Sequence, residues 1–138
     1  MFRKNLNYKI INHYHCNQGR LLIVNVEIDD IGYSIVNIYA PNIAKDRINF
    51  FVDVKCLIDT HALFPTRLLI GGDFNSVLAA SDRVSERVDV SSMHLNDLVT
   101  LLQLYDVWRN KHGQSRDFTY IDPSHNMHNS RIDLWLVS

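Results

Sequence analysis

Two segments rich in β-branched residues, RLLIVNVEI (Arg20 to Ile28) and GYSIVNIYA (Gly32 to Ala40), are joined through the short stretch DDIG. A connection this short closes an antiparallel hairpin, because a parallel pair needs a crossover of a dozen residues or more. The next segment has a different period. Ile48, Phe51, Val52, Ile58 and Ala62 recur at helical intervals from Lys45 to His61, with Asn42 or its neighbours available as the N-cap. RLLI (Arg67 to Ile70) returns to strand and runs into the turn GGDFN. Leu95, Leu98, Leu102 and Tyr105 then mark a second helix, starting at Ser91 or Ser92 with serine as cap and Asp97 near its positive end. DFTYI (Asp117 to Ile121) and RIDLWLV (Arg131 to Val137) read as two further strands around the polar loop DPSHNMHNS. Strands and helices that alternate around an antiparallel pair predict a mixed-sheet α/β sandwich, not a doubly wound parallel sheet.

At 138 residues the chain is one domain in size. Fourteen Lys and Arg against fifteen Asp and Glu leave a net charge of -1, so no global positive field draws in a polyanion, and any such site is local. Arg3, Lys4, Lys9 and Arg20 all precede the first acid, Glu27, and read as a solvated basic terminus. Cys16 and Cys56 stand apart and outside CxxC spacing, which suits a reducing compartment, nucleus or cytoplasm. No apolar run approaches the roughly 20 residues that span a bilayer, and MFRKNLNYKI lacks a secretory core, so neither a membrane partner nor secretion is expected.

Four features have the chemistry for a site. Asp73 and Asn75 leave the RLLIGG strand two residues apart and, in an extended continuation, point the same way with Phe74 inward. The carboxylate suits a hard cation or an attacking water, and the carboxamide a phosphate oxygen. The same GDFN is equally an Asx-type turn, the preferred reading from the bare residues. Asp133 lies in an apolar strand and needs a partner if buried, either in a structural ion pair or as an acid that orients a histidine. In NIYAPN, Tyr39 and Asn42 offer polar groups to a phosphate, or serve as a half-buried strand aromatic and a helix cap. The histidine pairs His13/His15 and His125/His128 have no ligand spacing and read as surface residues.

In combination, VNIYAPN, LLIGGDFNSVL, Asp82 with Arg83, LYDVWR, FTY and SRIDLWLVS, in that order, resemble the endonuclease/exonuclease/phosphatase superfamily. Within it the chain looks most like the apurinic-type endonuclease domain of LINE-type retrotransposons, from about Arg20 to Ser138. The resemblance implies a DNase-I-like four-layer α/β sandwich with mixed sheets and a magnesium-dependent nicking of DNA. It implies that Asp73 activates or positions the attacking water and that Asn75 holds the scissile phosphate or a metal-bound water. Tyr39 would contact that phosphate, Asn42 would lie close to the substrate, Asp133 would orient a histidine and Ser130 would lie along the nucleic-acid backbone. Asp73 and Asn75 would supply part of a magnesium site, and no small-molecule cofactor is implied.

Two departures accompany the match. The only early acid, Glu27, sits in the hairpin strand and out of the context of the family's metal-binding glutamate, and no Ser-Asp-His segment comes after SRIDLWLVS. The expectation is a domain fragment truncated at both ends, with bare sheet edges and apolar faces, marginally stable and inactive by itself. Two other readings stay open: a small-molecule or lipid phosphoesterase of the same superfamily, and a non-catalytic nucleic-acid-binding or scaffold remnant.

Overall fold

A computed structural model describes residues 6–16, 18–123 and 128–138. Arg3, Lys4 and His125 lie outside the described residues. The hairpin forms as expected: β2 (Leu21–Ile28) and β3 (Ile31–Tyr39) pair antiparallel from Ile28↔Ile31 to Leu21↔Ile38. Its turn is two residues long, Asp29 at φ 48° and Asp30 at φ 64°. Left-handed backbone at both positions matches the right-handed twist of the strands, and aspartate tolerates it.

Before the hairpin lies a strand the sequence reading does not anticipate, β1 (Tyr8–His15), antiparallel to β2 with an irregularity between Ile10 and Asn12. It forms one edge of the sheet and is exposed along most of its length, so no inward apolar alternation marks it.

After β3 the chain crosses through α1 (Ala44–His61) into β4 (Leu68–Asp73), which pairs parallel with β3 from Ser34↔Leu68 to Tyr39↔Asp73. The buried stripe of α1 is Arg47, Phe51, Val54 and Ile58, spaced four, three and four, while Val52 is exposed. Its N-cap is Ile43 without a side-chain hydrogen bond, so Asn42 is not the cap.

The second helix, α2 (Val90–Leu101), begins earlier than expected. Asp89 caps it by accepting from the Ser91 N–H at 2.8 Å, Ser91 and Ser92 are buried in the first turn, and Asp97 sits mid-helix. Gln103, at φ 53°, turns the chain out of the helix, and Tyr105 opens the short β5 (Tyr105–Asp106) instead of extending the apolar stripe. Next comes α3 (Val107–His112), capped by Asp106. The strand expected over Asp117 to Ile121 reduces to an isolated bridge, Tyr120↔Ser130. The Thr119 hydroxyl there accepts the N–H groups of Ile132 and Asp133, in place of backbone carbonyls.

The last strand, β6 (Asp133–Val137), runs antiparallel to β4 and to β5, giving a six-stranded mixed sheet in the order β1-β2-β3-β4-β6-β5. One cluster forms the core. Ile23, Val36, Ile38, Ile70 and Leu136 from the sheet meet Phe51 and Ile58 of α1 and Leu95 and Leu98 of α2. Phe74, just beyond β4, turns inward as expected and is fully buried. The alternate positions leave Leu22, Tyr39 and Trp135 exposed on the sheet. No helix among the described residues is long and apolar enough to cross a membrane.

Candidate active site

Tyr39, Asp73 and Asp133 stand in one row across three adjacent strands: Tyr39↔Asp73 closes the β3–β4 ladder, and Asp73↔Asp133 closes the β4–β6 ladder. Directly opposed residues project to the same side of a sheet, with Cβ atoms about 5 Å apart. The row lies at the carboxyl ends of β3 and β4, where α/β sheets place their sites.

The two glycines before Asp73 have separate causes. Gly72 takes φ 136°, and a Cβ there would come within 2.0 Å of the Ile38 carbonyl oxygen. Gly71 pairs with Trp135, and a Cβ on it would meet the indole at 2.8 Å. Both keep β4 close to its neighbours.

At the end of β4 the chain makes an Asx turn: the Asn75 N–H donates to Asp73 Oδ1 at 2.8 Å, and Asn75 takes left-handed φ 49°. Asp73 and Asn75 therefore do not continue an extended chain. They are adjacent because the turn folds one onto the other. The Asn75 amide group donates to the Ala40 carbonyl at 2.8 Å and to Asn42 Oδ1 at 3.0 Å, which ties the GDFN turn to the NIYAPN loop. Four of the six expected site residues thus meet at one point, and Asp133 joins them through its ladder.

Burial is the largest influence on Asp73 and raises its carboxyl pKa; the Asn75 N–H lowers it, the Asp133 charge raises it and Arg47 lowers it, with a net rise. Asp133, expected to need a partner if buried, meets the other side of that condition. It is exposed, because Leu134 and Leu136 take the core-facing positions of β6 and leave Asp133 and Trp135 on the other face. It needs no buried partner. Tyr39 is half exposed, with the Arg20 guanidinium 5.1 Å from its ring centroid. Ser130 is buried, accepting from Arg83 Nε at 3.1 Å and donating to the His128 carbonyl at 3.0 Å, so it supports the wall of a cleft and does not project from it.

That cleft, about 580 Å³, opens beside the turn and is lined by Asn42, Asn75, Arg83, Arg87, Tyr120 and Ser130 among others. Arg87 carries no motif context, and Tyr120 belongs to FTY without a site role assigned to it, so the sequence reading places neither in the cleft. His13 and His15 lie far off on β1, and Glu27 sits in β2 opposite Gly32 and Lys9. Among the described residues no three His, Cys, Asp or Glu side chains form a metal-binding group.

Behind the cleft the remaining motifs converge on buried charge. Arg131 Nε donates to Asp82 Oδ1 at 2.9 Å and Arg131 Nη2 to Asp106 Oδ2 at 2.6 Å, while Arg109 also pairs with Asp82. The Trp108 ring lies 4.8 Å from both guanidinium carbons. Burial disfavours the charge on Arg131, and its bonds to Asp106 and Asp82 outweigh that penalty. Asp82, DVWR and SRID therefore belong to one ion network, made of Asp82, Asp106, Arg109 and Arg131.

No protein-family model matches the chain. By structure it resembles a 3′ phosphatase, NExo, from Neisseria bound to product DNA hairpin (TM-score 0.71, 19% identity, 94% of this chain and 59% of that one). It also resembles an AP endonuclease from Archaeoglobus fulgidus (TM-score 0.70, 14% identity, 96% and 57%). A third match is the endonuclease domain of TRAS1, a telomere-specific non-LTR retrotransposon (TM-score 0.66, 17% identity, 98% and 55%). The chain has the DNase-I-like α/β fold that these solved structures share. In sequence it is 35% identical over 122 residues to the transposon TX1 uncharacterized 149 kDa protein of Xenopus laevis. It spans 9% of that protein and a little over half of each solved structure.

Proposed function

We propose that this chain is part of a retrotransposon-type endonuclease domain that nicks DNA with the help of magnesium. The observation that supports this most is the row Tyr39, Asp73, Asp133, joined by Asn75 and Asn42 beside an arginine-lined cleft. The raised pKa of Asp73 suits a group that takes a proton from water. The Tyr39 hydroxyl and the Asn42 amide are donors for the scissile phosphate, while Asn75, whose amide protons go to the Ala40 carbonyl and Asn42 Oδ1, presents its Oδ1 as an acceptor for water or a cation, and Arg83 and Arg87 supply positive charge for the flanking backbone. DNA, instead of a small phosphoester, suits an open cleft lined by two arginines.

The residues present fit a magnesium ion in part. Asp73 and Asn75 offer the hard oxygen donors it prefers, and Asp133 adds a second carboxylate beside Asp73. When bound, the ion supplies charge to the phosphoryl oxygens as they become more negative. In the family pattern Asp133 orients a histidine, and no hydrogen bond joins it to one among the described residues.

The test is nicking of supercoiled plasmid with magnesium, alone and with added imidazole as a replacement base. The chain by itself is expected not to nick, and added imidazole to restore weak nicking that Asp73→Ala abolishes. Absence of nicking under both conditions, or nicking indifferent to Asp73→Ala, would overturn the reading. The incomplete metal donor set favours a second reading, a non-catalytic DNA-binding remnant. Its mark is salt-dependent DNA binding unchanged by magnesium or by Asn75→Ala.

A further inference from the structure

Arg47 is a charged side chain placed where α1 would bury a leucine, with only 5% of its surface exposed. All three of its guanidinium nitrogens are engaged. Nε donates to Ser91 Oγ at 2.9 Å and Nη2 to Asp89 Oδ2 at 2.8 Å. Nη1 donates to the carbonyls of Pro41 and Asn42 at 3.1 and 2.6 Å. A guanidinium reaches these directions at once because its five donors lie in a rigid plane, which an ammonium group cannot reproduce.

The partners flank Asn75 on both sides. On one side the held carbonyl of Asn42 fixes the loop whose Oδ1, together with the Ala40 carbonyl, receives the Asn75 amide. On the other, Ser91 Oγ lies 3.0 Å from the hydroxyl of Ser76, the residue after Asn75, and Ser76 is fully buried. Asp89 balances the charge and also caps α2 through the Ser91 N–H. One side chain therefore joins the end of β3, the start of α1, the start of α2 and the turn after β4.

We propose that Arg47 is a positioning residue for the site, fixing the direction of the Asn75 carboxamide through its bonds to the Asn42 loop and to Ser91. Its catalytic consequence rests on the endonuclease reading; its structural claim does not. A simple role in tying α1 to α2 would need only the charge opposite Asp89, and Arg47→Lys retains that charge.

The experiment follows the Asn75 side-chain amide in ¹⁵N-labelled protein, identified by its disappearance in Asn75→Ala. In the unsubstituted chain both amide protons are held, so they resonate far apart and exchange slowly. Arg47→Lys moves that pair toward the shifts of a free asparagine amide and speeds exchange roughly tenfold, the size expected when a hydrogen bond is lost, while β2 and β3 backbone amides stay protected. Plasmid nicking gives a second arm, in which Arg47→Lys lowers kcat at unchanged KM. If the unsubstituted chain does not nick even with imidazole, the endonuclease reading fails by itself and the amide signal still decides the role of Arg47. A folded Arg47→Lys that keeps the separated, slowly exchanging pair overturns the proposal. So does loss of the whole fold in both Arg47→Lys and Arg47→Met, which assigns the residue to global stability.

Discussion

Asp73 and Asp133 oppose each other as the last pair of the β4–β6 ladder, and the Asp133 charge adds to burial in raising the Asp73 pKa. Replacing Asp133 with asparagine removes that repulsion and leaves the ladder intact. The Asp73 carboxyl then titrates at lower pH than in the unsubstituted chain, which ¹³C-detected titration of the carboxyl resonance reads directly. An unmoved or higher midpoint would show that the two carboxylates do not interact.

The same shift has a stability consequence. The folded-state pKa of Asp73 is raised above the ordinary 3.8, so protonated Asp73 is the form the fold favours. Its favourable contribution is complete below the unfolded value and is lost as pH rises through the folded one. Asp73→Asn, which keeps an acceptor for the Asn75 N–H, is therefore expected to raise the thermal midpoint at pH 7. The gain shrinks toward zero below about pH 4, where both forms are uncharged. Thermal melts at the two pH values check it. The variant would exchange function for stability, as substitutions at active sites commonly do.

Gly72 and Gly19 both have positive φ and separate conformational strain from crowding. Alanine at Gly19, φ 66° with open space around it, carries only the backbone penalty, about 1 kcal/mol. Alanine at Gly72 adds a collision with the Ile38 carbonyl oxygen and is expected to cost about 3 kcal/mol or more. Urea denaturation of the two variants measures the difference, and equal losses would mean that β3 can move aside.

The elements built on a buried period, β2, β3, α1, β4 and β6, were legible in the sequence because one face of each meets the core. Strand β1 was not, because an exposed edge strand has no inward face to announce it. The site was legible by type more than by geometry. Asp73, Asn75, Tyr39 and Asn42 do converge, through a left-handed turn at Asn75 that the extended reading misses. Arg47 and Arg87 were hidden for opposite reasons. Arg47 takes a helical position that periodicity assigns to an apolar residue, and the exposed Arg87 reaches the cleft only through the path of the loop after Arg83.

Asp82 shows how far the network behind the cleft supports the fold. Its carboxylate is fully buried between Arg109 and Arg131, so Asp82→Ala leaves two guanidinium groups without their shared counter-charge. Breaking a buried pair from one side costs about 3–5 kcal/mol. Asp82→Asn, which keeps hydrogen-bond acceptance, is expected to cost less. Denaturant midpoints of both variants test this, and equal losses would assign the effect to charge alone.

Arg87 and Arg83 line the same cleft but differ in what else they do. Arg83 bonds Ser130 and lies 3.9 Å from Asp89, so its loss disturbs the wall of the cleft as well as its charge. Arg87 is exposed, and its side chain has no ion pair among the described residues. If the cleft takes a nucleic-acid backbone, Arg87→Ala leaves the thermal midpoint unchanged and weakens DNA binding uniformly across sequences. The slope of log K against log salt falls by about 1, the signature of one lost phosphate contact. Fluorescence anisotropy over a salt series supplies the slope. An unchanged slope would place the strand elsewhere on the molecule, whereas a loss confined to particular sequences would make Arg87 a reader of bases and not of backbone.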